Sequence, residues 1–509
     1  MNEDASRPKT DPWSVYLASC AILTALPLWS ARYLPFTDLP EHTAVAAALR
    51  HWFDASWHLQ STYTLDFVHT PYSLYYVVCA LLAVPFGSAE RANTVILTLV
   101  ALGFPYSLRA LARALRADER LALFACPMFW NQSLLIGFFS YVAAIPLALF
   151  MLSLVVRQLA EPTRARAIAL GAGTVALLFL HLSMLAFFVV ASLLAALHVP
   201  GDVRERIRNA SRRLAWLAPA GAVLAVIFLT SSVFHPARVG WSEPRTIEFE
   251  PLDQELSHLF AMFDVWHGAF DEVCVIALLF TGALIAWPRA REPDDHVGSR
   301  SLVASWMVVA IALFLFVPQK IGWLWQLNER FTLPFALLAP LLLRPGEGRR
   351  SAVALGVVGA LGVGIAGNAT RAIRAFQSEV AGFDEVVGRA DPGKRMLALV
   401  FESQSSVARF APFLHFGAYY RARGGGVIAP SFAELPQSPL RYRPGEQPPW
   451  HPYGWEWEPE RVVNDASTAY FDYVLVRGSD PVGFLVAGPS RHTWRLVVRK
   501  GRWALFARE

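Results

Sequence analysis

Residues 36–52 read FTDLPEHTAVAAALRHW and follow directly on the first long apolar run of the chain, about Ser14 to Leu34. That run is longer than a signal-peptide core and lacks a small-residue cleavage site, so it reads as a retained first membrane span. The stretch after it begins a helix where the span ends, with Asp38, Glu41 and His42 on one helical face. Two readings of these residues stand side by side. Asp38-Leu-Pro-Glu41 has the form of a helix start, with an Asp cap, Pro in the first turn and Glu reaching back. Asp38 and His42 one turn apart, with Glu41 beside them, also have the spacing to converge on one ligand or divalent ion.

The rest of the chain supports the membrane setting. Its 509 residues are 55% hydrophobic and only 17% charged, with a mean hydropathy of +0.37, far too apolar for an ordinary soluble domain. The net charge of +5 does not mark a nucleic-acid binder. Its arginine clusters, RALARALRADER (109–120) and RERIRNASRR (204–213), fall between apolar runs and read as cytoplasmic loops. Cys20, Cys79, Cys126 and Cys274 are scattered singly through apolar segments and read as small core residues.

Treating each basic loop as cytoplasmic fixes the parity of crossings between loops. The stretch between 109–120 and 157–166, broken by Trp130-Asn131-Gln132, then takes two short spans. Ala167 to His198 splits near His181, which falls at an outer turn. Pro71 to Leu115 takes one span, from roughly Ala92, which leaves PYSLYYVVCALLAVPFG (71–87) as a helix in the outer interface and Arg91 at the outer mouth of the second span. Further spans near 213–234, 272–288, 301–317, 331–344 and 350–369 make an α-helical polytopic membrane protein of about eleven transmembrane helices. The N-terminus is expected inside and the C-terminus outside, in agreement with the loop from His235 to Glu272, whose acidic residues outnumber Arg238 and Arg245.

This divides the chain into a transmembrane domain, 1–370, with outer loops 35–91 and 235–271, and an extracytoplasmic soluble α/β domain, 371–509. In the latter LALVFES (397–403) and FDYVLVRG (471–478) read as buried strands, and SSVARFAPFLHFGAYYRAR (405–423) as an amphipathic helix. RLVVRKGRWALFARE (495–509) reads as a terminal hairpin turning at Lys500-Gly501.

An Asp just after the first span, a His four residues on and then an amphipathic helix resemble the GT-C superfamily of integral-membrane glycosyltransferases. Asp38 and His42 match the spacing found in oligosaccharyltransferases. HTPYSLYYVVCALLAVPFGSAERANTVILTLV (69–100) is similar to the protein O-mannosyltransferase and aminoarabinose-transferase pattern, in which a His/Pro-led interfacial helix precedes an Arg opening the second span; His69, Pro71 and Arg91 occupy those positions. The chain departs from that pattern at Thr70 and Ser73, where a second Pro and often a Lys stand, and it lacks the adjacent Asp-Glu pair of some members.

The resemblance implies a GT-C-like fold and transfer of a sugar from a polyprenyl-phosphate donor to an extracytoplasmic glycan, lipid or protein, in the inner (plasma) membrane and without nucleic acid. Such chemistry needs a carboxylate to accept or orient the acceptor's proton and cations to neutralise the departing phosphate. Asp38 is the candidate carboxylate, with Glu41 and His42 beside it, and Arg91, Lys320 and Arg330 are the candidate cations. Snorkelling beside tryptophans accounts equally for Lys320 and Arg330. His69, with Asp264 and His267 of FDVWHGAFDE (263–272), makes a candidate acceptor or metal site; for the latter pair a solvated helix face is the plain alternative. The sequence establishes no cofactor, and a divalent metal ion is the one candidate. Trp450, Trp455 and Trp457 of PPWHPYGWEWEPE (448–460) have the character of sugar-stacking or membrane-packing residues. The rival readings are a transporter or flippase of lipid-linked saccharides and a non-catalytic GT-C scaffold that binds glycans.

Overall fold

The computed structural model describes residues 11–199, 202–239, 246–286, 297–462, 466–480 and 494–509. Residues 240–245 of the expected outer loop, Arg245 among them, and residues 287–288 of the expected span 272–288 therefore lie outside the described residues. The first apolar run forms helix α1, Pro12–Ala25, capped by Asp11 and extended by a 3-10 turn to Trp29. The opening stretch forms α2, Leu39–Arg50. Next come α3, Ser73–Phe86, and α4, Ala89–Ala114. Helices α5, Phe139–Ala160, α6, Arg164–Leu180, and α7, Leu182–His198, follow.

Among the described residues five helices are long and apolar enough to cross a membrane: Pro12–Trp29, Ala89–Ala114, Phe139–Ala160, Ser299–Phe316 and Arg349–Val380. The protein is an integral membrane protein, but the expected eleven spans are not all carried by helix length, because several apolar helices have 17 residues or fewer. The two short spans expected around Trp130-Asn131-Gln132 are replaced by one 22-residue helix, α5, preceded by short turns of helix at 119–128 and 132–136. Pro127 and the capping side chain of Asn131, which accepts from Leu134 N, break the chain there.

Helix α8, Arg349–Val380, spans 32 residues, about 48 Å at 1.5 Å per residue. It runs without interruption through residue 370, and its last turns place Phe376 and Val380 in the core of the C-terminal domain. That core packs on a five-stranded sheet whose strands are β1, Arg395–Val400, β2, Val427–Ala429, β3, Tyr473–Arg477, β4, Trp494–Lys500, and β5, Trp503–Arg508. Their order is β2-β1-β3-β5-β4, parallel across β2-β1-β3 and antiparallel beyond. Both faces carry apolar clusters, which is why β1 and β3 read as unbroken hydrophobic runs. The hairpin turns at Lys500-Gly501 with Gly501 at φ +57°, as its sequence predicts.

The amphipathic helix expected over 405–423 shrinks to α9, Ala418–Gly424. Its first half is spent elsewhere. Val407 O accepts from His267 N, Arg409 N donates to Val265 O, and Pro412 bars a continuous helix. The segment 263–272 is thus a seat for the C-terminal domain. Helix α2, expected as amphipathic, is buried on all sides from Leu39 to Ala48, packed between α3 and α9. Its alanines leave room for both neighbours.

Candidate active site

Backbone contacts fix Asp38 before its side chain is considered. Thr37 N donates to Leu135 O at 2.9 Å and Asp38 N to Ile136 O at 3.0 Å. The next residue, Gly137, has φ +107°, and a Cβ there would stand 2.5 Å from the Cβ of Asp38. Only glycine admits this approach.

A helix does start here, but the capping bonds read for Asp38 and Glu41 are corrected. Asp38 occupies the cap position and Pro40 the first turn, but the Asp38 carboxylate makes no capping bond and its backbone is α-helical at φ −95°, ψ −2° rather than extended. It turns instead to His415 Nδ1, 2.9 Å from Oδ1. Glu41 does not reach back either. Its Oε2 accepts from Arg421 Nη2 at 2.8 Å and from Phe432 N at 3.0 Å. Charge-assisted partners outbid the backbone amides of a helix end.

His42 takes a third direction. Its Nε2 lies 2.8 Å from Gly137 O, its ring stacks on Tyr76, and burial lowers its pKa to about 4, so it is neutral. Asp38, Glu41 and His42 therefore do not converge on one ion. Among the described residues no group of three or more His, Cys, Asp or Glu side chains could hold a metal ion, and the donor set here is already engaged with His415 and Arg421.

Asp38 and Arg330 line one cavity of about 940 Å³, enclosed by the 323–325 loop, Phe138, the segment 430–437 and the tryptophan-rich segment 450–457. Arg330 is buried, 6% exposed. Its partners are neutral: His181 Nε2 accepts from Nη1 at 3.2 Å, Trp325 O from Nη2 at 3.2 Å, and the Phe138 ring lies 4.7 Å below the guanidinium. Nε has no partner, and no carboxylate among the described residues pairs with it. Glu329, beside it in sequence, turns to His258 Nδ1 at 3.6 Å. His181, at the break between α6 and α7, thus serves to hold Arg330.

The other predicted residues lie away from this cavity. Arg91 is exposed at the start of α4. Lys320 pairs with Glu248 at 3.1 Å, His69 with Asp66 at 3.0 Å, and Asp264 with Arg409 at 2.5 Å. His267 is exposed and contributes its backbone N–H to the seat of the C-terminal domain.

Sequence reasoning missed His415, Arg421, Glu434 and Glu456, all from the C-terminal domain. Burial alone would lower the His415 pKa, but the hydrogen bond and charge of Asp38 outweigh it and raise it. Glu434 and Glu456 line the cavity, and desolvation within it pushes both carboxyls up, helped at Glu434 by the charge of Glu456 and opposed at Glu456 by His415. The only signal in the sequence was a His and an Arg inside the apolar run FLHFGAYYRAR and a Glu between two tryptophans.

No protein-family model matches the chain, and no curated protein matches it. Over 97% of its length it aligns with 97% of ArnT from Cupriavidus metallidurans, solved in the apo state, at a TM-score of 0.56 and 13% identity. The chain shares its fold with this ArnT. The Archaeoglobus fulgidus oligosaccharyltransferase, solved in complex with Zn and sulfate, aligns over 97% of this chain and 73% of its own at 13% identity, with a TM-score of 0.43 that carries no argument. ArnT, an aminoarabinose transferase, is of the kind whose first-loop pattern the chain resembles at His69, Pro71 and Arg91. At this identity the likeness is one of fold, and the GT-C scaffold leaves the chemistry to be argued from the residues.

Proposed function

We propose that the protein is a membrane glycosyltransferase that moves a sugar from a polyprenyl-phosphate donor to an acceptor on the extracytoplasmic side of the inner membrane. The observation that carries this reading is Arg330, a buried cation with neutral partners only, lining the same cavity as Asp38. An unpaired buried charge costs several kcal/mol, on the order of 3–5, and is retained where an anion arrives to meet it. A phosphate entering from the lipid phase is that anion.

The acceptor hydroxyl attacks the anomeric carbon of the donor sugar and gives its proton to Asp38. The bond from that carbon to the phosphate oxygen breaks, and its electron pair leaves with the phosphate, whose charge Arg330 balances. His415 holds the Asp38 carboxylate in place.

The test is a proteoliposome assay with a polyprenyl-phosphate donor labelled in its sugar. Label appearing on an acceptor, with free polyprenyl phosphate released, supports the reading. Label that changes leaflet while the sugar-phosphate bond stays intact contradicts it and makes the protein a flippase.

A further inference from the structure

The wall of the cavity opposite the membrane helices is built from residues 450–457 of the C-terminal domain. Trp450, Tyr453 and Trp457 line it and are 61%, 39% and 53% exposed. They are not loose. Pro449 and Pro452 stiffen the segment, Gly454 turns it at φ +85°, and Trp455 is buried in the core of the sheet domain. Tyr453 OH donates to Trp323 O at 3.2 Å, which fastens the wall to the loop that leads to Arg330. Rings held this way lose little entropy when a ligand stacks on them.

Beside the rings stand hydrogen-bonding groups that no other side chain engages. The carboxyls of Glu434 and Glu456 line the cavity and have no hydrogen-bond partner among the described side chains, although Glu456 is close enough to His415 and Asp38 to feel both charges. Gln404 lines the same space. A lipid tail has no use for such groups, because covering them with hydrocarbon leaves them unsatisfied. A saccharide uses both kinds of surface: its C–H faces stack on aromatic rings and its hydroxyls bond to carboxyl and amide groups. The Glu434 carboxyl, pushed up to about 8, supplies a donor as well as acceptors at neutral pH.

The charge pattern narrows the class further. The electrostatic neighbours of Glu456 are His415, Asp38 and Glu41, whereas those of Arg330 are Tyr72, Tyr141 and Glu329. Asp38, His415 and Glu456 therefore stand together on one side of the cavity, apart from Arg330. An anionic acceptor would bring its charge against the Asp38 carboxylate on the first side and compete with the donor at Arg330 on the second.

We propose that the acceptor is a saccharide bearing no anionic group, seated on Trp450, Tyr453 and Trp457 and hydrogen-bonded by Glu434 and Glu456. This rests on the reading of Asp38 as the group that takes the acceptor's proton. Binding, however, is measured without turnover, so the two fail separately.

The experiment uses the full-length protein in nanodiscs and saturation-transfer NMR with three probes: mannotriose, chitotriose and trigalacturonate, with decaprenyl phosphate titrated in parallel. Saturable binding of a neutral trisaccharide is expected, with trigalacturonate at least about tenfold weaker. Trp457→Ala and Glu434→Gln should each weaken the trisaccharide about tenfold and leave decaprenyl phosphate binding unchanged, while Trp457→Phe recovers part of the loss. Asp38→Asn should still bind it. The proposal is overturned if neither neutral trisaccharide binds, if trigalacturonate binds equally well, or if the tryptophan variants weaken decaprenyl phosphate instead, which would make the wall a lipid surface. Normal turnover in Asp38→Asn with trisaccharide binding intact would sink the catalytic reading and leave this site standing.

Discussion

Two acid–base pairs leave the same helix, three residues apart, and reach the same domain. Asp38 meets His415 at 2.9 Å and Glu41 meets Arg421 at 2.8 Å. Separation does not distinguish them, but solvent does. The Asp38 and His415 side chains are 15% and 10% exposed and face the cavity, whereas Glu41 and Arg421 are 0% exposed. Arg421 is further held by Ser431 Oγ at 2.5 Å, and although burial alone would lower its pKa, Glu41 more than compensates and raises it. In the dry pair each charge is consumed by the other. The cavity-facing pair keeps a carboxylate oxygen available to a substrate. Burial thus makes one pair a clamp between the membrane region and the sheet domain, and the other a candidate for chemistry.

The largest expected effect breaks the clamp. Arg421→Ala leaves Glu41 charged and buried, and should cost about 3–5 kcal/mol in detergent unfolding. Replacing both partners by Glu41→Leu and Arg421→Met should recover most of that loss, since a well-packed apolar pair avoids the desolvation of two ions. Wild-type stability in Arg421→Ala would erase the contrast between the pairs.

A smaller effect separates a functional cation from a structural one. Arg330→Gln should weaken donor binding by about 2 kcal/mol, because it removes a desolvated charge from the phosphate. It should not lower stability, since the arginine has no carboxylate to lose. Arg91→Ala, on an exposed side chain, should leave donor affinity within about twofold. Equal losses in both variants would move the phosphate site away from the cavity. The smallest effect reads the sign of the His415 shift. Its folded pKa lies above the usual value, so its contribution is fully present below about pH 6.5 and fades as pH rises through the raised value. The stability difference between wild type and His415→Gln should shrink along that rise. A difference that grows with pH would contradict an imidazolium paired with Asp38.

The sequence told much about the fold and less about the site, for reasons that particular residues make plain. Long apolar helices, the two buried strands and the Lys500-Gly501 hairpin are local signals, set by periodicity and turn chemistry within a few residues. Asp38 was legible because it follows directly on a span. Its partner was not: His415 lies 377 positions away and Arg421 lies 380 from Glu41. The cap reading failed for the same reason, since a local rule could not weigh a distant imidazolium. Helix length does not confirm the count of eleven spans, because several apolar helices are too short for length alone to report crossing. Among Arg91, Lys320 and Arg330 the sequence favours Arg91, since snorkelling accounts for the other two, and what sets Arg330 apart is burial among neutral groups.

The central claim is that Asp38 acts chemically while Glu41 holds structure, and its most direct measurement is sugar transfer from a polyprenyl-phosphate donor by Asp38→Asn, with unfolding followed on the same preparation. Asparagine keeps the shape and removes the charge. Turnover should fall by about 100-fold or more at near-normal stability. Turnover at the wild-type rate would contradict the account, and so would a loss explained by unfolding.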